Sequence, residues 1–149
     1  MGDLNIEELR IGNYVMYNGI VVSVYGIIPP SPNADDYWND VWILELFDGA
    51  STITARLEDI SPIDFDMEWL KRFSFDFAKF IPPSQHCGVD MLYGYDYGIL
   101  RLGQKSDIIL RIKDDFSKVK LEGFHVSDLK HVHDIQNLVY SLTKKEVKL

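Results

Sequence analysis

The chain has 149 residues, of which 46% are apolar, 26% charged and 13% aromatic, a globular composition rather than a disordered one. A net charge of −8 opposes general attraction to nucleic acid or anionic membrane, and the lone Cys87 excludes an intramolecular disulfide and a zinc site built from cysteines. No apolar run approaches the roughly 20 residues of a membrane-spanning helix, and the acidic start Met1–Glu8 lacks the apolar core of a signal peptide. A soluble, cytoplasmic chain of one domain or two small units is expected.

In chain order, the clearest statement comes first. Asn18-Gly19 separates Leu9–Tyr17 from Ile20–Ile27, two runs rich in β-branched and aromatic residues. Both central residues of a type I′ turn need φ > 0, so this pair predicts a two-residue β-hairpin. Ile28 to Asp36 holds three prolines and two acids, which predicts an exposed loop, and Tyr37 and Trp38 follow it. Val41–Phe47 and Ser51–Leu57 flank Asp48-Gly49 and predict a second hairpin. Two such hairpins within about sixty residues predict an SH3-like small barrel over residues 1–64, the architecture shared by Tudor and KOW modules.

Residues 65–149 predict a smaller α+β unit. Phe65, Trp69, Leu70 and Phe73 share a helical face, with Asp64 or Asp66 as cap and Trp69 as core anchor. Phe75–Phe80, Tyr95–Leu102, Asp107–Lys113 and Lys118–Phe124 read as strands. Ser127 is a good N-cap for a closing helix from Asp128, with Leu129, Val132, Ile135, Leu138, Val139 and Leu142 as its apolar stripe. The fold class expected is therefore mainly β, or α+β, with a small antiparallel sheet packed with the C-terminal helix. Charge divides unevenly: residues 1–65 carry 11 acids and 2 bases, residues 66–149 carry 12 acids and 13 bases.

The run His131-Val132-His133-Asp134-Ile135-Gln136-Asn137-Leu138-Val139-Tyr140-Ser141-Leu142-Thr143 is similar to the "VH-x-LQNL-x-x-x-LT" ending of a family of small uncharacterised proteins. That family is encoded in prophages and mobile elements of anaerobic gut bacteria. Leu9–Val15 resembles the family's opening, and Glu58–Ile63 its middle element. Ile135 stands where the family has Leu, and Val139-Tyr140 where it has two aromatics. The resemblance implies a genomic setting and no activity.

Chemical motifs are scarce. On a helix His131 and His133 lie about 200° apart, so they are not expected to share a metal. Gln136 and Asn137 are expected to hydrogen-bond backbone at a strand edge or an N-terminal segment, because buried amides must be satisfied. His86-Cys87 lacks any supporting catalytic signature, and Asp35, Asp36 and Asp40 lack the glycine and spacing of a calcium loop. No catalytic residue, metal or cofactor is expected. Tyr37 and Trp38, the latter expected to be largely exposed, are the candidate contacts for a protein partner or a second copy of the chain. The alternative is nucleic-acid binding through Arg111, Lys113, Lys118 and Lys120, which cluster if their strands pair.

Overall fold

A computed structural model describes residues 4–32, 38–78, 95–101, 107–113, 116, 119–121 and 129–147. The chain forms two compact units, one of Met1–Asp64 with His131–Glu146, the other of Phe65–Lys130 with Val147–Leu149. The first unit's leading stretch ends at residue 64, and that unit takes in the C-terminal helix expected beside the second sheet.

In the first unit, β1 (Tyr14–Tyr17) and β2 (Ile20–Ile28) form the expected hairpin, with Tyr17 opposite Ile20. Asn18 has φ +48° and Gly19 φ +78°, as a type I′ turn demands. A Gly19→Val variant should therefore lose about 1–3 kcal/mol to backbone strain, read as a lower midpoint in a thermal melt. Unchanged melting would separate the turn from the stability of the unit.

β3 (Ile43–Phe47) pairs with β2 through a register shift between Val24 and Gly26, a bulge that bends the long strand. β4 (Thr52–Arg56) returns after a turn closed by Asp48, whose Oδ1 accepts from the N–H groups of Ala50 and Ser51, both at 2.8 Å. The Ser51 and Ala50 bonds hold the Asp48 carboxyl below its usual pKa range. A 3-10 turn at Leu57–Asp59 leads to β5 (Ile60–Ser61), which pairs back with β1. The order β4-β3-β2-β1-β5 curls into a half-barrel of SH3-like topology. Val15, Val22, Val24, Leu44, Leu46, Ala55 and Ile60 alternate inward and fill it, joined by Leu4 and Leu9. Each buried Val, Leu or Ile among them stabilises by about 1.5–3 kcal/mol before entropy is counted.

The C-terminal helix α2 is Val132–Thr143, starting later than Asp128. Its lead-in is engaged in extended pairing. The Leu129 N–H donates to the Val119 carbonyl at 2.8 Å, Val132 N–H donates to the Ile63 carbonyl at 2.8 Å, and Asp64 and His131 form a β-bridge. His131 is thus the extended N-cap residue, and Asp134 Oδ2 accepts from its backbone N–H at 3.0 Å. Ser127 and Asp128 lie outside the described residues. The buried face is Val132, His133, Ile135, Gln136 and Val139, whereas Leu142 is exposed.

In the second unit, α1 (Met67–Arg72) is capped by Asp66, whose Oδ1 accepts from Trp69 N–H at 3.0 Å. It packs against β6 (Asp76–Ala78) of a four-stranded antiparallel sheet. The other strands are β7 (Tyr95–Arg101), β8 (Asp107–Lys113) and β9 (Val119–Leu121), in the order β6-β7-β8-β9. Ile108, Leu110 and Ile112 are buried, as the alternation requires. Among the described residues no helix is long and apolar enough to cross a membrane.

Candidate functional site

The first unit presents two candidate sites, and a layer of amides ties α2 to the segment before β1. Gln136, fully buried on α2, accepts from Tyr14 N–H at 2.8 Å through Oε1 and donates to the Gly12 carbonyl at 3.0 Å through Nε2. Asn137 donates to the Glu8 carbonyl at 2.6 Å and accepts from Asn13 Nδ2 at 2.8 Å and Arg10 Nε at 3.3 Å. Asn13, also fully buried, accepts from Arg10 N–H at 2.7 Å. The Arg10 guanidinium pairs with Glu146 and lies 4.0 Å above the Tyr140 ring. These bonds fix the tight turn before β1, where Gly12 takes φ +98°. The role expected of the amide pair is the one found.

The first candidate site is a groove of about 310 Å³ lined by Leu4, Asp40, Val41, Trp42, Arg56, Leu57 and Glu58. Three chain segments meet there: the N-terminal lead-in, the end of the Pro-rich loop, and the 3-10 turn after β4. Leu57 N–H donates to the Trp42 carbonyl at 3.0 Å and ties the last two together. Leu4, Val41, Trp42 and Leu57 give apolar walls, while Asp40 and Glu58 are exposed. Arg56 is half-buried and ion-paired with Glu58, with Asp59 3.9 Å away. Sequence reasoning missed this groove because its walls come from segments with no shared motif.

The second is a histidine–carboxylate cluster at the start of α2. His133 is 0% exposed, and among the described residues neither of its ring nitrogens makes a hydrogen bond of good geometry. Its Nε2 lies 3.5 Å from Glu8 Oε2 and 3.5 Å from Asp134 Oδ1. His131 stacks on it, with ring centroids 5.4 Å apart and planes 10° from parallel, and its Nδ1 lies 3.5 Å from Asp134 Oδ2. Burial pushes the His133 pKa down, and the nearby carboxylates of Asp134 and Glu8 act against that. Ligating atoms of His131, His133 and Asp134 all fall within 4.8 Å of one another. The expected 200° separation fails because it needs both residues in the helix, and His131 is the extended cap.

Trp38 is half-buried and in contact with another group of the protein, not largely exposed. Tyr37, Lys118 and the His86-Cys87 pair lie outside the described residues, as do Asp35 and Asp36. Strands β8 and β9 pair with Arg111 opposite Lys120, and Arg111 is half-buried. Lys113 lies two positions along β8 from Arg111.

Compared with models of known protein families, with curated proteins and with solved structures, the chain matches none.

Proposed function

We propose that the chain is a non-enzymatic protein-interaction module whose first unit takes a basic, apolar-flanked segment of a partner in the groove beside Trp42. The observation that carries this reading is the groove itself: apolar walls under a rim that holds Asp40 and Glu58. Its unit is strongly acidic, with 13 acids and 4 bases over residues 1–64 and 131–146. Apolar side chains of a ligand would find Leu4, Trp42 and Leu57, and a lysine or arginine beside them would find Asp40 and, in competition with Arg56, Glu58. The contact site thus moves from Tyr37 and Trp38 to the residues just after them. The mobile-element setting implied by the C-terminal run would make host or phage proteins the source of such segments.

Nucleic-acid binding through Arg111, Lys113, Lys118 and Lys120 has one favourable observation, the placement of Arg111 opposite Lys120. It ranks second because the unit that carries them is nearly neutral, with 10 acids and 11 bases.

A peptide array probed with the full chain tests the first reading. Peptides that combine Lys or Arg with apolar neighbours should be retained, and acidic ones should not. Glu58→Lys should weaken retention by roughly tenfold, about 1.4 kcal/mol, and Asp40→Asn, at an exposed rim position, should weaken it without loss of folding. If the wild-type chain retains no basic peptide, or both variants retain as much as wild type, the reading fails.

A further inference from the structure

We infer that the cluster at the start of α2 is a binding site for a divalent first-row transition-metal ion, zinc foremost, with His133 Nε2, Asp134 Oδ1 and Glu8 Oε2 as its donors. The separations make the case. A hydrogen bond or tight ion pair between these groups would bring them to about 2.7–3.0 Å. They stand 3.5 Å apart on both sides of His133 Nε2 instead. An ion bound tetrahedrally at about 2.0–2.1 Å holds its donors about 3.3–3.4 Å apart. Both separations from His133 Nε2 suit a shared ion, and the ligating atoms of His131, His133 and Asp134 converge within 4.8 Å of one another.

His133 supplies the second, independent observation. A fully buried imidazole whose Nδ1 makes no hydrogen bond among the described residues, and whose Nε2 meets only carboxylate oxygens at 3.5 Å, is a costly arrangement for a residue of purely structural use. A metal on Nε2 would satisfy that nitrogen. The donor set, imidazole with carboxylates and no thiolate, suits zinc, nickel or cobalt better than calcium or magnesium, which take oxygen ligands alone.

His131 has a distinct part. Its ring is nearly parallel to that of His133, so the two lone pairs do not point at one place. In the present geometry its Nδ1 faces Asp134 Oδ2, and it orients that carboxylate from outside the donor set. A turn of its ring would make it the fourth ligand. An ion here would tie Glu8, in the N-terminal 3-10 turn, to the first turn of α2, the same two segments that Asn137 joins through the Glu8 carbonyl. The site would be structural, and binding would raise the stability of the folded chain by mass action.

The test is titration of the tag-free, EDTA-stripped full chain with zinc chloride, read by calorimetry and by thermal melting, with magnesium and calcium as controls. One zinc per chain, a raised melting temperature and no response to magnesium or calcium are expected. Because a His133→Gln variant can fail to fold, the deciding variant is Glu8→Gln, whose side chain is 51% exposed. It should melt like wild type without metal and bind zinc about tenfold to a hundredfold more weakly. His131→Gln should weaken binding as well. No zinc binding by wild type, wild-type affinity in Glu8→Gln, or an equal response to calcium would each overturn the assignment.

Discussion

A Gln136→Leu variant should lose about 2–5 kcal/mol of stability, with the melting temperature of the first unit falling by roughly 10–30 °C. The size follows from what the amide does. It makes two hydrogen bonds to backbone, to Tyr14 N–H and to the Gly12 carbonyl, from a fully buried position. Leucine matches its bulk and restores neither bond. Both backbone groups would then be left without partners, and each such group costs about 1–3 kcal/mol when buried. Urea denaturation of the two proteins side by side measures the difference. Asn137→Ala is the comparison, and its effect should be smaller because the site is half-buried and water can replace the amide. A Gln136→Leu protein as stable as wild type would mean that the turn before β1 holds itself together.

Trp69→Ala should cost about 3–5 kcal/mol, the range for a truncated core aromatic. Trp69 is 5% exposed on α1, its ring 5.4 Å from that of Phe73 between centroids and 5.1 Å from the Arg72 guanidinium. Leu70, Phe65 and Phe75 are buried in the same unit. Truncation would open a cavity in a small core with little capacity to collapse onto it. Circular dichroism melts report the loss, and a change below about 1 kcal/mol would mark Trp69 as a surface group.

The elements legible in the sequence were those decided by short-range physics. Asn18-Gly19 and Asp48-Gly49 specify their turns locally, and both hairpins formed around them. Asp66 and the face of Trp69, Leu70 and Phe73 likewise specify α1 without help from elsewhere. The start of α2 was not legible, because capping chemistry at Ser127 competes with backbone pairing that only the fold supplies, from Val119 and Ile63. The histidine cluster was missed for the same reason. Once His131 is the cap rather than a helical residue, the angular argument that separated it from His133 no longer applies. Gln136 and Asn137 were readable as structural amides, since polar groups on a buried face need partners, although which backbone groups they would meet was not. The groove depends on residues from Leu4 to Glu58 brought together by three loops, and no spacing rule anticipates that.

The amide bonds of α2 also bear on the order in which the chain can fold. Tyr14 and Gln136 are 122 residues apart, and Asn137 and Glu8 are 129 apart. The strands β1 to β5 can pair among themselves as soon as they leave the ribosome, but Gly12 and Tyr14 must remain hydrated until residues near 140 have been made. Contacts of this range slow folding, because the closing entropy is spent before the bonds form. Meanwhile Phe65–Lys130, nearly all of the second unit, is contiguous and already synthesised. The half-barrel thus waits on a segment made more than sixty residues after its own strands, and a premature stop before His131 would leave it without its buried amides.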